Sequence, residues 1–166
     1  MKARNYREVK GQAYTRKKYI RGSPASKIVK FTMGTPSNTY EYQALLIAEK
    51  AVQIRHNALE AARIASNRVL SEKLGTNNYL LKILPFPHVV LRENKMIFGA
   101  HADRLQDGMR NAFGKAIGLA ARVKPGQSLI LANINKDGIE LATQALKRGG
   151  AKLPTPCRVV IRKLGG

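Results

Sequence analysis

The stretch of this chain that comes nearest to a catalytic motif is rich in glycine and ends in a lysine. Gly108, Gly114 and Lys115 follow one another in the order of a phosphate-binding loop, in which backbone N–H groups hold phosphates and a Ser or Thr hydroxyl binds Mg²⁺. One residue too many separates the two glycines, and Ala116 stands at the position of the hydroxyl. The sequence therefore argues against nucleotide hydrolysis.

Other side chains that could act as bases, nucleophiles or metal ligands are dispersed along the chain. The histidines lie on different predicted elements and lack the spacing of a zinc site, so we expect each to be a surface or RNA-facing side chain: His56, His88 and His101. Cys157 has no cysteine partner, and its position suits a small buried residue as well as a reactive thiol. The sequence therefore predicts no enzyme, no metal site and no cofactor.

The charge balance points to a polyanionic partner. The 166 residues include 30 Lys and Arg against 10 Asp and Glu, a formal net charge of +20. Nucleic acid and an anionic membrane surface are both candidates, and nucleic acid is favoured because no strongly basic amphipathic helix is evident. No apolar stretch approaches the ~18 residues of a membrane span, and no apolar region follows the N-terminal charges, so we expect a protein of the reducing cytoplasm, neither exported nor membrane-spanning.

Nearly half of this charge lies at the start of the chain. Residues 1–30 hold ten basic side chains and one acidic one, a balance of 10 − 1 = +9, whereas residues 31–60 hold two basic and three acidic ones. Tyr6, Tyr14 and Tyr19 alternate with the basic residues. This mixture suits RNA, because cations neutralise phosphates and rings stack on unpaired bases; the alternative is a solvated tail. The segment has no regular periodicity and cannot order itself alone.

The elements that must position these residues follow from the apolar pattern. A helix is predicted over 55–74, with Glu60 as a carboxylate near Asn57, and a second over 137–148 with Asp137 as its N-cap. The first helix has a stripe of small residues that indicates close packing on a sheet: Ala58, Ala61, Ala62, Ala65 and Val69. Extended segments are predicted at 27–34, 40–48, 79–84, 88–92, 119–123, 127–134 and 158–163, with a turn at 49–53.

The order of these elements predicts the α+β class, as a two-layer sandwich with a mostly antiparallel sheet. We expect a basic arm over 1–26 and a single domain over 27–166, with an internal glycine-rich loop over 99–118. That loop has little to bury, and long loops within compact domains are often functional.

Several uncommon motifs occur in a distinctive order along nearly the whole chain: Ala58-Leu59-Glu60-Ala61-Ala62-Arg63-Ile64, His88-Val89-Val90-Leu91-Arg92-Glu93-Asn94-Lys95-Met96, Ala102-Asp103-Arg104-Leu105-Gln106, Gly108-Met109-Arg110 and Ala112-Phe113-Gly114-Lys115. They resemble the large-subunit ribosomal protein ten-e family, which includes the eukaryotic QM protein and is the counterpart of bacterial large-subunit protein sixteen. The short C-terminal end after Leu153 is similar to archaeal members.

The resemblance implies an α/β-hammerhead type of fold and a structural component of the large subunit. It also implies binding to ribosomal RNA beside the A-site tRNA, near the central protuberance, with the glycine-rich loop directed toward tRNA. Neighbouring ribosomal proteins, and a subunit-maturation adaptor like that of eukaryotic members, are further implied partners. The sequence departs from the family at His101 and Ala116, where glycine and proline are usual.

On this interpretation two groups of residues contact RNA. The predicted contacts to ribosomal RNA come from the arm and from charges on the body: Arg4, Tyr6, Arg7, Lys10, Arg16, Lys17, Lys18, Arg21, Lys27, Arg63, His88, Arg92 and Lys95. The predicted tRNA-facing residues are in or beside the loop: His101, Arg104, Arg110, Phe113 and Lys115. The alternative hypothesis is a free-standing nucleic-acid chaperone or DNA-compacting protein, which the net charge suits equally well.

Overall fold

The computed structural model describes residues 1–36, 40–94 and 114–164, which form two antiparallel sheets and two main helices. The strands are β1 (Thr32–Gly34), β2 (Tyr42–Ala48), β3 (Val52–Arg55), β4 (Tyr79–Ile83), β5 (Val89–Glu93), β6 (Lys115–Val123), β7 (Ser128–Ile134) and β8 (Cys157–Lys163). The helices are α1 (His56–Leu74) and α2 (Ile139–Gly150), with short 3-10 turns at Ala3–Asn5, Lys17–Tyr19 and Lys136–Gly138. The predicted α+β class is confirmed.

The larger sheet has five strands in the order β1-β4-β7-β2-β8. At its centre Leu46 of β2 pairs with Ile130 of β7 on one side and with Val159 of β8 on the other. Strand β4 alternates in burial, since Tyr79, Leu81 and Ile83 are buried while Lys82 is exposed. Such alternation gives the sheet an apolar face on which α1 and α2 pack.

The two helices also pack closely against each other. Ser66 of α1 donates a hydrogen bond from its hydroxyl to the carbonyl oxygen of Ala145 on α2, at 3.2 Å. A methyl group at Gly149 of α2 would collide with Ser66 Oγ and crowd the carbonyl oxygen of Ala62, so it would displace the Ser66 hydroxyl from this contact. The buried residues of α1 are His56, Leu59, Ala62, Ser66, Val69 and Leu70. The predicted stripe is wrong in part because Ala61 is exposed.

The smaller sheet has three strands in the order β3-β6-β5. In β3, Val52 and Ile54 are part of the central core and pair with Val123 and Ala121 of β6. Gln53, between them in β3, pairs with Arg122, so these two polar residues share the opposite face. One face of the small sheet therefore completes the core, and the other carries polar side chains.

Strand β3 contradicts the predicted turn at 49–53. Only residues 49–51 connect the strands, and Val52–Arg55 is extended because it pairs with β6. The predicted strand at 27–34 is also too long, since only Thr32–Gly34 pairs in the sheet. The preceding backbone N–H groups bond to side chains of α1 instead: Lys27 to His56 Nδ1 at 3.3 Å and Val29 to Glu60 Oε2 at 3.4 Å.

Two other elements begin at residues different from those predicted. Strand β6 begins at Lys115 rather than at residue 119, because Lys115 pairs with Glu93 of β5; the last residues of the predicted loop are thus in the sheet. Helix α2 begins at Ile139, after a 3-10 turn that contains Asp137, so Asp137 is not its N-cap, and it extends through Gly150. In the part of the chain that the structure describes, neither helix combines the length and apolarity needed to cross a membrane.

Candidate nucleic-acid interface

The basic N-terminal segment is bonded to the small sheet, and Gln53 of β3 is its central anchor. The buried Gln53 side chain donates from Nε2 to the carbonyl oxygens of Tyr6 at 2.7 Å and Glu8 at 3.4 Å. Its backbone N–H donates to the carbonyl oxygen of Arg7 at 2.8 Å. Because Gln53 bonds only to backbone atoms of the arm, it fixes the chain's course and leaves the arm's side chains free to point elsewhere.

Arg122 of β6 is a second anchor for the arm. Its guanidinium donates to the carbonyl oxygens of Gly11 at 2.8 Å and Lys10 at 3.2 Å, and to Gln53 Oε1 at 3.3 Å. Farther along, the N–H of Val90 in β5 donates to the carbonyl oxygen of Tyr14 at 2.8 Å. Residues 6–14 therefore cross the small sheet from β3 to β5.

Two arm tyrosines lie against arginines of the sheet. The Arg92 guanidinium lies 3.9 Å from the ring centre of Tyr14, and that of Arg55 lies 5.6 Å from the ring centre of Tyr6. These are cation–π distances, which add attraction between the arm and the sheet. The third ring, Tyr19, is 71% exposed and is the one most open to a stacking partner.

Most predicted RNA-contact residues have exposed side chains in this arrangement. Those that are exposed are Arg4, Arg7, Lys10, Arg16, Lys17, Lys18, Arg21, Lys27, His88 and Lys115. Tyr6, Arg63 and Arg92 are partly buried. Lys95, His101, Arg104, Arg110 and Phe113 lie outside the described residues. Of the exposed members, Arg7 and Lys10 lie on the stretch of arm backbone that is bonded to the small sheet.

Three of the predicted residues meet in one groove. Arg21 from the arm, Arg92 from β5 and Lys115 from β6 line a cavity of about 600 Å³ together with Tyr14 and Tyr19. Gly114 stands at its edge with a positive φ of 67°, in a position where a side chain would meet the backbone of Glu93. The structure thus brings together two residues predicted to bind ribosomal RNA and one predicted to face tRNA.

Arg63 lies in a different environment. It forms an ion pair with Glu60 at 2.6 Å, and its Nη1 also lies 3.0 Å from the sulfur of Met33. The Arg63 guanidinium, chiefly by hydrogen bonding, holds the pKa of Glu60 below its usual value. Glu60 also accepts the backbone N–H of Val29, so it links α1 to the segment between the arm and β1 and does not serve as the predicted carboxylate near Asn57.

His56 corrects the expectation that every histidine lies at the surface. It is only 3% exposed, and its Nδ1 accepts the backbone N–H of Lys27. Burial lowers its pKa, and the nearby charges of Lys27 and Arg55 lower it further. A neutral imidazole therefore connects the beginning of α1 to the end of the arm.

Two observations bear on catalysis. Burial raises the pKa of the Cys157 thiol, with a smaller contribution from the Glu49 carboxylate, so the thiol stays protonated at neutral pH and is a poor nucleophile. Across the three described ranges, no three His, Cys, Asp or Glu side chains are grouped in a way that could hold a metal ion.

Sequence analysis missed three residues that shape this surface: Gln53, Arg55 and Arg122. The alternation of Val52 and Ile54 with Gln53 and Arg55 was a usable signal, since it assigns the two polar residues to one face of a strand. No pattern in the sequence indicates that Arg122 bonds to the arm, because its acceptors are the carbonyl oxygens of Gly11 and Lys10, 111 and 112 residues away in the chain.

Comparisons with known proteins identify the family of this chain. The family model described as ribosomal protein L16p/L10e matches residues 9–160. The large ribosomal subunit protein uL16 of Staphylothermus marinus is 54% identical over 162 residues, which cover 98% of this chain and 93% of that protein. The uL16 proteins of Picrophilus torridus and Methanococcus maripaludis (strain S2) are 48% and 47% identical, each over 97% of this chain and 92% or 93% of the relative.

These matches confirm the resemblance found in the sequence motifs, and the family consists of ribosomal proteins, not enzymes. Its model covers the greater part of the basic arm, the small sheet that anchors it, and both helices. The chain therefore belongs to the ribosomal protein L16p/L10e family.

Proposed function

We propose that this protein is a structural constituent of the large ribosomal subunit, where it binds ribosomal RNA near the A-site tRNA and the central protuberance. The observation that carries this proposal is the basic arm, whose backbone is bonded to Gln53 and Arg122 while its cationic side chains remain exposed. The uL16 names of the relatives support the assignment to the large subunit.

The arm suits RNA for a physical reason. Each Lys or Arg that meets a phosphate releases bound counterions, so affinity gains from a dense row of cations and falls with added salt. A backbone held in place before binding also loses less conformational entropy when it meets RNA. The anchored arm and the residues that follow it, with a balance of +9 over residues 1–30, therefore combine long-range attraction with a defined contact surface.

The glycine-rich loop is the proposed tRNA-facing element. Lys115 stands where that loop joins β6, in the same groove as Arg21 and Arg92. This position supports a continuous basic surface from the arm to the loop. We place the function at the cytoplasmic ribosome, with ribosomal RNA, tRNA and neighbouring ribosomal proteins as partners. A maturation adaptor is a further proposed partner, on the analogy with eukaryotic members.

Incorporation into subunits tests the proposal. We expect the purified protein to bind large subunits depleted of it and to remain bound through sedimentation at a salt concentration that removes loosely associated proteins. Sedimentation of a cell extract separates this function from the alternative of a nucleic-acid chaperone or DNA-compacting protein. A free or chromosome-associated pool, with none in the large-subunit fraction, would refute the ribosomal role.

The tRNA-facing part has its own test. Replacement of Arg104, Arg110 and Lys115 by Ala should leave incorporation and thermal unfolding unchanged and should reduce tRNA binding to the reconstituted subunit. A large loss of thermal stability in the free triple variant would instead assign these residues a structural role.

A further inference from the structure

A second basic groove lies at the beginning of α1, and two of its three cationic residues, Arg55 and Lys152, were not among the predicted RNA contacts. It has a volume of about 410 Å³ and lies between the arm, the first turns of α1 and the segment after α2. Arg7, Arg55 and Lys152 contribute its cations, one from each of these parts of the chain. The remaining lining residues are all uncharged: Tyr6, Asn57, Ala58, Ala61, Leu153 and Pro154.

Arg55 is the most informative member of the groove. Its Nε is fully buried and has no hydrogen-bond partner among the described residues, although its guanidinium lies over the ring of Tyr6. A buried N–H without an acceptor is unfavourable, and such groups in native proteins usually have a partner. The Arg55 side chain as a whole is only partly buried and lines the groove, so an acceptor oxygen of a ligand can meet the accessible part of its guanidinium.

The beginning of α1 favours the same kind of ligand. Arg55 is the N-cap and makes no side-chain capping hydrogen bond, and the first turn of this 19-residue helix contains no acidic residue. The first N–H groups of a helix lack partners within the helix, and they give its N-terminus a partial positive charge. Asn57 and Ala58, which line the groove, belong to this first turn.

We propose that this groove binds a phosphate of the ribosomal RNA backbone, with Arg7, Arg55 and Lys152 as its cationic contacts and the N-terminus of α1 as a further source of positive potential. The proposal rests on the proposed function and adds a defined phosphate site to it. The ligand is an RNA backbone because cations from three segments line one open groove that is wider than a single phosphate and has no carboxylate in its lining.

A carboxylate placed in the groove gives the sharpest test. Asn57→Asp should weaken binding of an in vitro transcribed large-subunit ribosomal RNA about tenfold, because the new charge repels the phosphate in a partly desolvated groove. The same substitution should raise the unfolding temperature of the free protein slightly, since an acidic residue in the first turn complements the helix dipole. Opposite changes in affinity and stability would separate ligand binding from a structural role.

Asn135→Asp is the matched control. It makes the same change in net charge at an exposed position just before the turn that contacts Leu74, at the far end of α1. Equal losses of affinity in the two variants would overturn the proposal, because the effect would then reflect net charge alone.

Lys152→Ala provides a second measurement at an exposed residue whose loss should not disturb folding. We expect a severalfold loss of affinity and a decrease of about one in the slope of log K against log salt. Lys73→Ala removes the same charge near the C-terminal end of α1 and should have a smaller effect on both the affinity and the salt slope.

The wild-type protein distinguishes failure of this site from failure of the proposed function. If the wild-type protein does not bind the transcript, both the proposed function and the phosphate site are refuted. If it binds and both groove variants match their controls, only the phosphate site is refuted.

Discussion

The two sheets of this protein are covered in contrasting ways. The helices α1 and α2 cover the five-stranded sheet with apolar side chains such as Leu70 and Leu146, both fully buried. The basic arm covers the outer face of the three-stranded sheet through hydrogen bonds from Gln53 and Arg122 to its carbonyl oxygens. The helices exclude water from the larger sheet by apolar packing, whereas the arm is held on the smaller sheet by hydrogen bonds.

This difference matches two different tasks. Burial of apolar side chains such as Leu70 and Leu146 stabilises the helical side, and these buried side chains present no group to a partner. Hydrogen bonding to the arm's backbone uses none of the arm's own side chains, so its lysines and arginines stay available for phosphates. Polar attachment therefore allows a segment too basic to form a core to be ordered while its cationic side chains stay exposed.

The largest expected effect comes from the helical cover. Leu70→Ala removes a fully buried side chain from α1 and should reduce the free energy of unfolding by about 2–5 kcal/mol, measured by urea denaturation. Ile64→Ala, on the same helix at a position that is 51% exposed, should change it by less than about 0.5 kcal/mol. Similar losses in both variants would contradict the view that apolar packing holds this side.

A smaller and more local effect is expected at the arm. Arg122→Ala removes the hydrogen bonds to Gly11 and Lys10 and should lower stability by about 1–2 kcal/mol. Amide exchange at Gln53 and trypsin cleavage after Lys10 should both accelerate, while exchange in α1 stays unchanged.

The control for the arm is Arg68→Ala, which removes an arginine from an exposed ion pair with Glu72. We expect no measurable change in the unfolding temperature or in cleavage of the arm. If the arm stays as protected as in the wild type both in Arg122→Ala and in a variant that also carries Gln53→Ala, hydrogen bonds do not hold the arm and the contrast between the two covers fails.

The smallest effect is a pH dependence at His56, where the arm meets α1. Its folded pKa lies below the ordinary value of 6.5, so the unfolded chain binds the proton more readily. Stability should therefore decrease as the pH falls below about 6.5, and it should level off once the folded histidine is also protonated. His56→Asn should flatten the pH profile of the unfolding temperature between pH 7 and pH 5 relative to the wild type. An unchanged profile would assign this pH dependence to other groups.

Several features of the fold could be predicted because they depend on local pattern. Helix α1 ends at Leu74, as predicted, and begins within one residue of the predicted start. The strands around Tyr79–Ile83 and Ser128–Ile134 also match, since long apolar segments bounded by turn residues are specific signals. The short strand β3 was missed because its four residues are extended through pairing with β6.

The candidate site was predictable in composition but not in arrangement. The exposed basic residues of the arm were identified from the charge distribution alone. The groove shared by Arg21, Arg92 and Lys115 depends on three segments that meet only in the folded chain. The phosphate site proposed at Arg55 depends on a missed strand and on the start of a helix.

The sequence by itself determined the excess of positive charge, its concentration in the first thirty residues and the motifs of the family. These are properties of residue type and order, so they do not depend on how the chain folds. Only the tertiary structure decided that the arm is bonded across the small sheet and that His56 is buried at its end. The physical reason is that the sequence around a backbone carbonyl group does not specify which donor will bond to it. The donor to the Gly11 carbonyl oxygen is the guanidinium of Arg122, 111 residues farther along the chain.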